Sequence, residues 1–158
     1  MEIALLAVGK LRASYRDACD DYVRRLTRYL KLREVEVREA SRTPGIAPQR
    51  AEEAERLRAR VPAGARVVAL SRQGTGWSSE ELAGRVERWQ REARPVALLI
   101  GGSHGLDPVL VAGADDRWSL GPLTLPHELA RVVVAEQLYR ACTILRGEPY
   151  HKGAGGHG

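Results

Sequence analysis

Apolar positions along the chain switch repeatedly between strand-like and helix-like spacing. The opening EIALLAV (2–8) is apolar at nearly every position, as expected of a strand covered on both faces. RVVAL (66–70) and PVALLIGG (95–102) read the same way. EVEVREA (34–40) alternates strictly, the mark of a strand with one buried face, and DRWSL (116–120) is a last short strand. Between them, residues 14–31 read as a helix with Ser14 as N-cap and Ala18, Tyr22, Leu26 and Tyr29 at helical spacing. Residues 47–60 are charged and helix-favouring, and Pro62 and Gly64 end them; residues 78–93 read as a capped helix. Asp107 and Pro108 are an N-cap and N1 pair for a short helix, and Pro126 fits N1 of a helix running to Arg146.

Strands alternating with helices predict an α/β layer fold with a mostly parallel sheet flanked by helices. With 158 residues and no internal repeat or linker, one domain over 1–152 is expected, followed by GAGGHG (153–158) as a disordered tail. The first apolar run carries Glu2, is short and has no small-residue cleavage site, so it reads as a buried strand rather than a signal peptide; no run reaches membrane-spanning length. Cys19 and Cys142 fall inside expected helices without partner spacing, which predicts reduced core thiols and a cytoplasmic protein.

Charge changes the picture in one place. The net charge is +5, and residues 10–33 hold eight basic side chains against three acidic ones, which accounts for the whole excess. A basic helix of this kind, with Arg24, Arg25 and Arg28 on it, is either a solvated face or an electrostatic footprint for nucleic acid.

Candidate chemistry collects at three glycine-bearing loops after strands: LSRQGTGW (70–77), IGGSHGLD (100–107) and SLGPLTLP (119–126). In parallel α/β sheets, ligands bind outside the carboxyl ends of strands, where these loops could converge. GGSHG does not match G-x-G-x-x-G, and no G-x-x-x-x-G-K-[ST] exists. The three segments contain no lysine, and Arg72 is their only cation, which is a poor clamp for a polyphosphate. An adenosine-like ligand without phosphates, held by backbone amides and by Leu70, Ile100, Leu123 and Leu125, fits better. His104, His127, His151 and His157 show no metal-ligand spacing, so no metal is expected. Glu136 and Arg140 stand at i, i+4, the spacing of a helix-surface ion pair.

LLIGGSHGL, WSLGPLTLPHELARVVVAEQLYRA and the terminal PYHK together resemble the small bacterial methyltransferases that modify a pseudouridine at N3 in large-subunit (23S) rRNA. These belong to the SPOUT superfamily, and the similarity spans essentially the whole chain. The resemblance implies an S-adenosylmethionine-binding α/β fold with a C-terminal trefoil knot, acting as a homodimer on the ribosome without metal or membrane. It implies a cofactor pocket lined by Leu70, Ile100, Gly101, Gly102, Gly105, Leu120, Gly121, Pro122, Leu123, Thr124, Leu125 and Pro126. It also implies catalytic positions at His127, Arg140, Tyr150 and His151, with the C-terminal tail closing over the target nucleotide.

On that reading Arg140 stabilises charge developing on the carbonyl oxygens beside the N3 imide, and His127 or His151 takes its proton. Arg24, Arg25 and Arg28 hold RNA phosphates without reading sequence. Two other readings stand beside it: a SPOUT enzyme acting on another RNA such as tRNA, and a non-catalytic ribosome-associated RNA-binding protein.

Overall fold

The computed structural model describes residues 1–150. Five strands form one parallel sheet in the order β2-β1-β4-β3-β5, with β1 at Glu2–Val8, β2 at Lys31–Val37, β3 at Arg66–Gly76, β4 at Val96–Ile100 and β5 at Asp116–Ser119. Five helices connect or follow them: α1 (Ala13–Leu26), α2 (Ile46–Arg58), α3 (Ser79–Glu92), α4 (Pro108–Ala112) and α5 (His127–Arg146).

The continuous apolar runs are explained by two cores, one on each face of the sheet. From β1, Ile3, Leu5 and Ala7 join Val68, Leu98 and Trp118 beneath α1, α3 and α5, where Leu26, Trp89, Val134 and Leu138 complete the packing. Ala4, Leu6 and Val8 point the other way and meet Val35, Val37 and Leu99 under Leu57 of α2 and Leu110 of α4. Burying each leucine of this kind contributes roughly 1.5–3 kcal/mol.

Several local expectations hold. The Ser78 hydroxyl accepts the Glu81 N–H at 3.0 Å, and Asp107 accepts the Leu110 N–H at 3.3 Å with Pro108 in the first turn of α4. Others give way to tertiary structure. α1 ends at Leu26 rather than residue 31, and β2 occupies 31–37 rather than 34–40, because Lys31 to Val37 pair in parallel with Glu2 to Val8. Ser14 does not cap α1: Arg12 holds the N-cap position, and its backbone N–H donates to the Glu128 carboxylate at 2.6 Å. Pro126 is the N-cap residue of α5, one position before the N1 expected.

The segment 70–77 is not a free loop after β3. The strand runs on to Gly76, with a register irregularity between Leu70 and Thr75 against β5. Gly74 makes this possible: a Cβ there would sit 2.6 Å from the backbone carbonyl of Arg117.

Candidate active site

The irregular middle of β3 and the carboxyl ends of β4 and β5 open onto one cavity of about 990 Å³. Three stretches build most of its wall, at 70–73, 100–106 and 120–125 with Pro122 turned away, joined by Arg117 of β5, and α5 adds His127 and Ala130. The glycine turn after β4 is tightly folded: Gly105 donates its N–H to the Gly102 carbonyl at 3.0 Å, and a Cβ on Gly101 would lie 2.4 Å from the Gly105 carbonyl carbon. No larger residue fits at Gly101 without moving the backbone. In the segment after β5, the Ser119 hydroxyl accepts the Gly121 N–H at 3.1 Å, and Gly121 takes a φ of 116°.

Ten of the twelve expected cofactor-binding positions line this cavity: Leu70, Ile100, Gly101, Gly102, Gly105, Leu120, Gly121, Leu123, Thr124 and Leu125. Pro122 and Pro126 do not line it. Both are exposed, and their rings constrain the path of the segment, Pro126 at the start of α5. Leu123 is 75% exposed, an uncovered apolar side chain on the cavity wall.

The expected catalytic residues do not converge within one chain. His127 faces the cavity. Arg140 lies thirteen residues further along α5, about 20 Å away at the α-helical rise. There its guanidinium donates to Glu136 at 2.8 and 3.1 Å and stands 4.9 Å over the Tyr150 ring. The Tyr150 hydroxyl donates to the same Glu136 oxygen at 2.7 Å. Burial first, and then this hydrogen bond, raise the Tyr150 phenol above its ordinary pKa. His151 lies outside the described residues.

Arg24, Arg25 and Arg28 lie at the Arg140 end of the molecule. Arg24 and Arg25 both pair with Asp21, and Arg25 also stands over Tyr22 and Tyr139. Arg28 sits in the turn after α1, over Tyr29. Tyr139 meets Tyr150 edge-on at 4.8 Å, so the basic end of α1 and the Arg140 cluster form one arginine and tyrosine surface.

Two features escaped sequence reasoning. Arg131 of α5 is 1% exposed; it donates to the Gly9 carbonyl at 2.9 Å and to the carboxylates of Glu34 and Glu36. Its spacing to the buried Val134 and Leu138 places it on the inward stripe of α5, and a charge on that stripe was the available signal. Arg50 and Arg117 also line the cavity, and no local pattern marked them, because only tertiary folding brings α2 and β5 there.

Among the described residues, no group of three or more His, Cys, Asp or Glu side chains could hold a metal ion. No described helix is long and apolar enough to cross a membrane.

The family described as predicted SPOUT methyltransferase matches residues 1–151. A protein of Anaeromyxobacter sp. (strain Fw109-5) named Ribosomal RNA large subunit methyltransferase H is 48% identical over 153 residues, covering 96% of this chain and 100% of its own. A protein of the same name from Stutzerimonas stutzeri (strain A1501) is 43% identical over 155 residues, with the same coverage. Among solved structures, a "probable methyltransferase" from Bordetella pertussis Tohama I superposes with a TM-score of 0.55 at 18% identity, over 89% of this chain and 95% of its own, a likeness of fold. The chain is a member of the SPOUT methyltransferase family.

Proposed function

We propose that the protein transfers a methyl group from S-adenosylmethionine to N3 of a pseudouridine in large-subunit rRNA, in the cytoplasm, on the assembled ribosome. The observation that carries this reading is the cavity at the middle of β3 and the ends of β4 and β5, built from the segments the resemblance assigns to the cofactor. Relatives covered over their full length and named for large-subunit rRNA methylation support the choice of substrate.

The residues present suit the cofactor. Leu70, Leu120, Leu123 and Leu125 offer apolar walls for an adenine, and the backbone of the 100–106 turn lines the same space beside its polar edge. Bound there, S-adenosylmethionine supplies a methyl group already activated by its sulfonium. The task left to the protein is to orient the nucleophile against it. The N3 imide is protonated near neutral pH, and His127, on the cavity wall, is the group suited to take its proton.

Arg140 stands ten residues, about 15 Å, along α5 from Ala130, the cavity residue nearest to it on that helix, and Tyr150 packs against Arg140, too far to serve the cavity within one chain. We therefore read the active form as a homodimer, in which Arg140, Tyr150 and His151 of one copy attend the cavity of the other. Arg140 there stabilises negative charge developing on the pyrimidine carbonyl oxygens. The C-terminal trefoil knot belongs to the same reading.

Transfer of tritiated methyl from S-adenosylmethionine into 50S subunits, 70S ribosomes and tRNA tests this function. Label in 23S rRNA at a pseudouridine is the expected result. Label in tRNA alone favours a SPOUT enzyme with another target. An absence of both transfer and cofactor binding at millimolar ligand leaves a non-catalytic RNA-binding protein.

A further inference from the structure

The cavity carries more positive charge than its cofactor calls for. Arg50 of α2, Arg72 of β3 and Arg117 of β5 all line it, and none of its lining residues is an Asp or Glu. Arg117 is engaged, donating to the carbonyls of Val111, Ala112 and Ala114 at 3.2–3.4 Å around the end of α4. Arg50 spends only its Nε, which donates to the His104 carbonyl at 2.7 Å. Its two terminal nitrogens have no hydrogen-bond or ion-pair partner among the described residues. Arg72 is exposed and likewise has none there.

S-adenosylmethionine bears a sulfonium, an ammonium and a single carboxylate, so it is a net cation at neutral pH. Guanidiniums without nearby carboxylates oppose such a ligand, except where its one carboxylate meets one of them. A wall with spare guanidiniums suits a second, anionic ligand, and the planar fork of arginine matches phosphate in two-point contact.

We infer that Arg50 and Arg72 bind backbone phosphates of the RNA beside the target nucleotide and so steer that nucleotide into the cofactor cavity. This rests on the methyltransferase reading above and adds the substrate contact on the cavity side of the molecule. Contacts of this type position the strand without reading its sequence. Arg24 and Arg25 of α1 lie at the Arg140 end, so the RNA meets positive charge at both ends of the molecule.

The test compares wild type with Arg50→Gln, Arg72→Gln and Arg50→Lys. It uses calorimetry with S-adenosylmethionine, ribosome binding across a salt series, and steady-state methylation of 70S ribosomes. Each glutamine variant is expected to hold cofactor affinity within about twofold and to lower the slope of log K against log salt by about 0.7. KM for ribosomes should rise roughly tenfold, with kcat less affected. Arg50→Lys keeps the charge and should keep the slope, which separates the charge from support of the His104 turn. The Arg72 side chain has no other partner among the described residues, so its variant remains informative if Arg50→Gln loosens that turn.

Cofactor affinity falling more than fivefold with an unchanged salt slope would overturn the inference, because the arginines then hold the cofactor carboxylate. Unchanged slope and KM in Arg72→Gln and Arg50→Gln would overturn it as well. Failure of the function itself shows separately, as wild type that transfers no methyl to ribosomes.

Discussion

Glu128, in the first turn of α5, accepts the Arg12 backbone N–H at 2.6 Å and the Arg12 Nε–H at 2.9 Å, across 116 residues of sequence. Arg12 is the N-cap residue of α1, so one carboxylate ties together the starts of two helices. It also follows His127, which lines the cavity.

The Arg12 backbone N–H, and then the Arg12 charge, hold the Glu128 carboxyl below the usual value of 4.5. A depressed folded-state pKa means the stabilisation is present above about 4.5 and fades as pH falls below it. Denaturant unfolding of wild type and Glu128→Gln from pH 7 to pH 3 should therefore show wild type more stable at neutral pH, with the gap closing in acid. A gap that stays constant across the series counts against this role.

Arg131 is the second anchor of α5. Its removal leaves the largely covered Glu34 and Glu36 with Arg16 as their one cation among the described residues, and the Val8 and Gly9 carbonyls lose a donor. Breaking a buried pair from one side costs about 3–5 kcal/mol, and the residual Arg16 contacts set the expectation for Arg131→Met at the lower end, about 3 kcal/mol. Urea unfolding measures it, and a loss below 1 kcal/mol would show the network to be dispensable.

Leu123 is exposed, so Leu123→Asp should leave the folded state intact by circular dichroism and thermal unfolding. On the proposed function the same change places an anion and its water shell where adenine packs, and calorimetric binding of S-adenosylmethionine should vanish. Surviving affinity would mean that this segment is a turn and not a cofactor wall.

Burial pushes the Cys19 and Cys142 thiols up to about 11. At pH 8 the thiolate fraction is small and access is closed. Ellman's reagent should label neither thiol quickly in the native protein and both within minutes in denaturant. Fast native labelling of either would mean that α1 or α5 opens readily.

Much of the fold was legible because its signals are local. The solid apolar runs at 2–8 and 95–102 required cover on both faces, and two cores provide it. Ser78, Asp107 and Pro108 mark helix starts because capping is settled within four residues. The glycine turns and the segment 119–126 pointed to one pocket, because the carboxyl ends of neighbouring parallel strands lie side by side.

Tertiary structure decided what depends on distant partners. The strand β2 begins at Lys31 because parallel pairing with β1 outweighs the helical spacing that reaches Tyr29. α1 starts under a carboxylate from α5 instead of under Ser14. Arg50 and Arg117 reach the cavity, and Arg140 lies away from it, because helix packing and crossover connections set distances that no spacing along the chain encodes. By itself the sequence determined the elements, the doubly covered sheet and the cavity's location. The packed chain determined which charges meet there, since Coulombic and hydrogen-bond energies follow separation in space.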